Sequence, residues 1–112
     1  MGWKGLAGMS LTMTEHEFAF WLERSSPTSH VIYHYGSLPR DRSGKLLYEG
    51  ETVKQIPTVY SQAVDYVALA AWRAMRGHYV LLTQRRVNES NFEYLATRTG
   101  ISFPQTLAST RL

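Results

Sequence analysis

The stretch PTVYSQAVDYVALAAWRAMRGHYVLLTQRRVNESNFEYLATR, residues 57–98, decides the architecture. Pro57 sits just before a long helical pattern in which Tyr60, Ala63, Val64, Val67, Ala70, Ala71 and Ala74 recur at spacings of three and four. That period marks one broad apolar face of a helix, with Gln62, Asp65, Leu69, Arg73 and Arg76 on the other side. Thr58 or Ser61 is suited to cap its start, and Gly77 is well placed to end it. The pattern then changes. His78 to Val87 and Phe92 to Arg98 read as two strands, and Asn88-Glu89-Ser90-Asn91 supplies turn residues between them. A symmetric turn sets Val87 opposite Phe92, Arg86 opposite Glu93 and Arg85 opposite Tyr94. In that register Val80, Leu82 and Leu95 face the core, and Leu81, Thr83, Arg85, Phe92, Tyr94 and Arg98 share the outer face.

Working toward the N-terminus, Ser37 to Thr58 is mixed, with Pro39, Gly44, Gly50 and Pro57 among interspersed charges. It reads as loop with at most one helical turn, and Leu46 to Tyr48 as a short strand or turn. His30 to Tyr35 is rich in β-branched and aromatic residues and reads as a strand closed by Gly36. Ahead of it, Thr14-Glu15-His16-Glu17 fits a reciprocal cap, with Thr14 accepting from the Glu17 amide and Glu17 reaching back. Phe18, Trp21 and Leu22 then fall on one helix face, and Pro27 limits the helix to about residues 24–26. Residues 1–13 read as a flexible N-terminus, 14–98 as a single domain, and 99–112 as an extended or disordered tail.

The bulk numbers agree with one domain. A chain of 112 residues with 44% hydrophobic and 19% charged residues carries one core and is not generally disordered. With no cysteine, disulfides, thiolate metal sites and cysteine catalysis are excluded. The most apolar stretch, Val59 to Met75, is interrupted by Gln62, Asp65 and Arg73, which argues against a membrane span. We read the chain as cytoplasmic, with no membrane partner.

The net charge of +3 is unevenly placed. Residues 1–56 carry six basic and six acidic side chains; residues 57–112 carry six basic and three acidic. Between Asp65 and Glu89 stand four arginines and no acid. Such a field attracts phosphates or an acidic protein surface. Arg73 and Arg76 lie three apart on the polar side of the long helix. Arg85, Arg86 and Arg98 lie on the hairpin with Tyr94 beside them, and Arg40, Arg42 and Lys45 add cations from the loop. Guanidinium groups bind phosphate or the guanine edge in a bidentate way. The plainer reading is that exposed arginines are solvated, and that Asp41 between Arg40 and Arg42 forms a local ion pair. Trp21, Trp72, Tyr60 and Phe18 read as core residues.

No catalytic pattern is present: GxSxG, the Walker A loop and the dinucleotide glycine pattern are all missing, and no cofactor is implied. His30 and His34 share one side of a strand but lie too far apart to hold an ion together, and no HExxH occurs, so no metal site is expected.

The order helix, strand, loop, long helix, hairpin resembles the winged-helix order, in which a helix-turn-helix is followed by a β-hairpin wing. The resemblance covers roughly residues 14–98 and rests on element order and on Gly77-His78-Tyr79-Val80-Leu81-Leu82-Thr83-Gln84-Arg85-Arg86. The run from Ala71-Trp72-Arg73-Ala74 through Gln84-Arg85-Arg86 to Phe92-Glu93-Tyr94 also looks like small proteins found in bacterial prophages. The resemblance implies an α+β, winged-helix-like, non-enzymatic DNA-binding protein, a prophage regulator, and a homodimer. The alternatives are a phage-type protein that binds and inhibits an acidic host protein, and a self-associating structural module. One departure stands out: residues 37–58 show no convincing short helix ahead of the long one.

Overall fold

The computed structural model describes residues 11–43, 46–49, 52–55 and 58–103. The order is α1 (Glu15–Arg24), β1 (His30–Gly36), α2 (Leu38–Ser43), β2 (Leu46–Glu49), β3 (Thr52–Gln55), α3 (Thr58–Arg76), β4 (Val80–Arg86) and β5 (Phe92–Arg98). Among the described residues this is a small α+β fold with three helices. Its main sheet is antiparallel, in the order β1-β5-β4, and β2 and β3 form a separate two-stranded hairpin.

α1 starts where its cap residues place it. The Glu17 amide donates to Thr14 Oγ1 at 3.0 Å, and the Thr14 amide donates to Glu17 Oε1 at 2.8 Å. The α3 end is subtler than the glycine suggests. The Tyr79 amide donates to the Ala74 carbonyl and the His78 amide to that of Met75, a Schellman closure. The left-handed residue in it is His78, with φ +67°, not Gly77. Gly77 serves by lacking a side chain: a Cβ there would stand 2.5 Å from the Tyr79 ring.

Phe18 and Leu22 of α1, Val67, Ala71 and Ala74 of α3, and Tyr33, Val80, Tyr94 and Ala96 of the sheet make one core. The small side chains of α3 let α1 approach it closely. Trp72, expected in the core, is 47% exposed. It lies outside the 67, 71, 74 row that faces α1, so α1 cannot cover it.

Residues 37–58 hold more structure than their composition suggests. A six-residue helix, α2, and the β2–β3 hairpin occupy most of the segment. The expected strand at Leu46 lies within β2. α2 is too short to stand alone; Leu38 packs it against the core, and polar anchors add to that contact. Its Leu38 amide donates to Tyr94 Oη at 3.0 Å, and Arg42 pairs with Asp65 of α3.

The hairpin register differs by one residue from the symmetric expectation. Arg86 pairs with Phe92, Arg85 with Glu93, Gln84 with Tyr94 and Val80 with Arg98. Asn88 Oδ1 accepts from the amides of Ser90 and Asn91, while the Val87 amide donates to the Asn91 carbonyl. The connection therefore takes five residues, 87–91. A one-residue slip reassigns faces. It puts Phe92, Tyr94 and Arg98 on the side of Val80 and Leu82, so Tyr94 and Arg98 are buried rather than outward.

Past β5, residues 99–103 are fastened to the domain. The Thr99 amide donates to the Tyr79 carbonyl, and Phe103 meets the Tyr79 ring edge-on at 5.0 Å. Before α1, Thr12 Oγ1 accepts from the Tyr35 amide. The remainder of both expected termini, 1–10 and 104–112, lies outside the described residues.

Candidate nucleic-acid interface

The nine residues expected to meet nucleic acid are not gathered on one surface. Arg73 and Arg76 project from the solvent face of α3, both exposed. Arg76 lies over the Trp72 ring at 4.9 Å. Tyr66, 52% exposed, and Gln62 continue the same face toward the helix start. The one carboxylate of α3 is Asp65, and Arg42 Nε and Nη2 reach its Oδ1 at 2.8 and 2.7 Å. Arg42 is thus matched to the one acid on this side of α3, and among the described residues no carboxylate pairs with Arg73 or Arg76.

The hairpin arginines separate because neighbours on a strand point to opposite faces. Arg85 turns to the outer sheet face, where Glu93 takes it directly, with Nε to Oε1 at 2.9 Å. Arg86 turns to the other face near the tip. It donates to the carbonyls of Asn88 and Glu89 and lies 5.9 Å from the Phe92 ring centroid. Arg86 remains exposed, so the turn stiffens it without hiding it.

Arg98 does something else. It is 6% exposed, and its Nη1 donates to the carbonyls of Leu22 at 2.6 Å and Ser25 at 2.9 Å. Nη2 donates to the Ile101 carbonyl at 3.0 Å and Nε to that of Tyr79 at 3.3 Å. The guanidinium satisfies the end of α1, where carbonyls are orphaned and the helix dipole is negative. It is fully engaged inside the domain and unavailable to a phosphate. Tyr94 is buried between Tyr33, His34 and Phe92, and its hydroxyl holds α2.

Arg40 belongs to a buried polar cluster that the sequence does not announce. A bulge in β1 between Ile32 and His34 lets Tyr33 and His34 both face inward. His34 is 0% exposed and lies 2.7 Å, Nε2 to Oδ2, from Asp41. Asp41 also accepts from Arg40 Nε at 2.9 Å and from the Ser37 amide at 3.2 Å. Burial opposes ionisation of Asp41, but the hydrogen bonds from His34 and Arg40, with the Arg40 charge, hold its carboxyl below the usual range. An ionised carboxylate only accepts, so His34 Nε2 carries the proton. Gly36, at φ +134°, completes the packing: a Cβ there would stand 2.6 Å from Asp41 Oδ2. The Arg40–Asp41 pair was legible as adjacent opposite charges. The His34 contact was not, because the bulge that creates it is a tertiary feature. Burial also pushes the Tyr33 and Tyr60 hydroxyls up to about 12.

Lys45 lies outside the described residues. Among the described residues no group of three or more His, Asp or Glu side chains is gathered as a metal ion would require. No described helix is long and apolar enough to cross a membrane.

Comparison with known proteins finds no match to any family model, any curated protein or any solved structure.

Proposed function

We propose that this chain is a non-enzymatic, winged-helix-like protein that binds duplex DNA, with α3 in a groove and the β4–β5 tip on the backbone. The observation that carries this reading is the outer face of α3, where Gln62, Arg73 and Arg76 stand exposed and the helix's one acid is already paired to Arg42. Two features of the fold support it. α2 and α3 are held together by that ion pair, and a hairpin follows α3 in a sheet ordered β1-β5-β4. The contact set is narrower than the sequence implied: Arg73, Arg76 and Arg86 for phosphate or base edges, with Gln62 suited to adenine. Arg40, Arg42, Arg85, Arg98 and Tyr94 serve the fold.

Fluorescence anisotropy with a labelled duplex tests this. Three phosphate contacts give a log–log salt slope near −2.7, so affinity falls roughly 40-fold between 50 and 200 mM salt. Arg73→Ala or Arg76→Ala each flattens the slope by about 1 if that side chain meets phosphate. An absence of binding to every duplex at low salt removes the reading.

A second reading, an acidic protein surface as partner, is favoured by one observation. Tyr66 and Trp72 are exposed beside the arginines, the residue types enriched at protein interfaces. A partner that survives nuclease treatment and is lost with Trp72→Ala, together with no duplex binding, selects it.

A further inference from the structure

β4 lies at an edge of the main sheet, and its free side is unprotected. The order β1-β5-β4 leaves β1 and β4 with no further strand on their outer sides among the described residues. Unpaired edges invite another chain, and proteins blunt them with bulges, charges or covering segments. β1 is blunted in this way. It carries the bulge between Ile32 and His34, and its Tyr35 amide is already taken by Thr12 Oγ1. β4 runs Val80-Leu81-Leu82-Thr83-Gln84-Arg85-Arg86 in unbroken register with β5, without proline, glycine or bulge, and Leu81 is 62% exposed.

The two ends of the β4–β5 ladder fix where its backbone groups point. The Val87 amide donates to the Asn91 carbonyl, and the Thr99 amide to the Tyr79 carbonyl. Residues 79 and 87 therefore turn their peptide groups toward β5, and alternation along the strand gives 81, 83 and 85 the same direction. The N–H and C=O of Val80, Leu82, Gln84 and Arg86 point the other way, to the free edge. The charges of this edge sit at one end: Arg85 and Arg86 come last, and Val80 to Gln84 is uncharged. A strand with that polarity fits an antiparallel copy of itself, uncharged end against charged end. A parallel copy sets arginine on arginine.

We infer that β4 pairs with β4 of a second copy of this chain, antiparallel and centred on Thr83, joining the two three-stranded sheets into one about a two-fold axis. Of the possible registers, this one pairs all seven residues of the strand. Val80 stands opposite Arg86 of the second copy and Leu82 opposite its Gln84. These are the hydrogen-bonded pairs, so every outward N–H and C=O of one edge meets a partner on the other. Thr83 meets its own copy on the axis in a non-hydrogen-bonded pair, where Cα atoms approach to about 4.5 Å. Leu81 lies beside the stem of Arg85 of the second copy, which covers it. Arg85 and its copy stand roughly 13 Å apart along the strands, past the Debye length of about 8 Å at physiological salt. The inference does not rest on the duplex-binding reading, because Arg73, Arg76 and the turn at 87–91 lie outside the paired stretch.

Sedimentation velocity of the full chain, free of nucleic acid and run from micromolar to millimolar concentration, is expected to show a reversible dimer. Thr83 is exposed, so changing it leaves the β4–β5 ladder in place. Thr83→Lys sets like charges face to face on the axis and is expected to weaken the dimer at least tenfold. Thr83→Glu is expected to do the same alone, and an equal mixture of the two variants to restore dimerisation. The chain has no cysteine, so Thr83→Cys reports the geometry directly. Its Cα lies within disulfide reach of its copy, and oxidation is expected to give a covalent dimer, whereas Asn88→Cys at the tip stays monomeric under the same oxidation. A monomer at every concentration overturns the inference. So does a dimer that Thr83→Lys leaves intact or that Thr83→Cys fails to lock, because the contact then lies elsewhere. Loss of the duplex-binding reading changes none of these readouts.

Discussion

Replacing Arg98 with alanine is expected to cost far more than replacing any other arginine of the described chain. Arg98 is buried, and its three nitrogens satisfy the carbonyls of Leu22, Ser25, Tyr79 and Ile101. These four groups come from the end of α1, the entry to β4 and the segment after β5, so one side chain joins three parts of the molecule. A hydrogen bond to a charged group contributes about 1.5–3 kcal/mol, and a buried group left without a partner costs about 1–3 kcal/mol. The contributions overlap, because water reaches some of the carbonyls once the side chain is gone. A net loss of roughly 3–5 kcal/mol follows, at the upper end for single substitutions. For a domain of this size, about 4–8 °C of Tm accompanies each kcal/mol, so a fall of roughly 15–30 °C is expected. Urea and thermal unfolding followed by circular dichroism measure it. Arg98→Met keeps the apolar stem and removes the donors, and it is expected to lose nearly as much as alanine. Arg73→Ala, on the exposed α3 face, is the control and is expected within about 0.5 kcal/mol of the parent. If Arg98→Ala stays within about 1 kcal/mol of the parent, the account of the buried guanidinium is wrong.

Three further outcomes are expected. Gly36→Ala combines a left-handed φ of +134° with a Cβ placed 2.6 Å from Asp41 Oδ2. It is expected to lower stability by roughly 2–4 kcal/mol in urea unfolding; an unchanged midpoint contradicts the packing described. Asp41 has a folded pKa below its unfolded value of about 3.9. Its contribution is therefore present above that value and lost as pH falls through the lower folded pKa. The stability gap between the parent and Asp41→Asn is expected to shrink as pH falls below about 4, and a gap independent of pH counts against the ionised pair. Tyr33 and Tyr60, pushed up to about 12, are expected to stay protonated at pH 11 in the folded protein. Absorbance at 295 nm should then show the ionisation of at least two tyrosines moved to higher pH in the folded protein than in urea, where they titrate near 10.

The amino-acid sequence by itself determined the kind and most of the ends of α1, β1, α3, β4 and β5, while α2 and β3 escaped it. The reciprocal cap at Thr14 and Glu17, the apolar row of α3 and the strands on either side of Asn88 act over a few neighbouring residues, so they are readable locally. Tertiary structure decided which side chains are free. A five-residue connection in place of four slid β4 against β5 by one position and carried Arg98 and Tyr94 inward. The bulge in β1 buried His34 against Asp41, and the packing of α2 on α3 committed Arg42 to Asp65. Faces and partners depend on register, and register is set by how strands from distant parts of the chain meet around a shared core. Of the arginines read as one basic surface, Arg73 and Arg76 on the α3 face and Arg86 at the hairpin tip are the ones left exposed and without a carboxylate among the described residues.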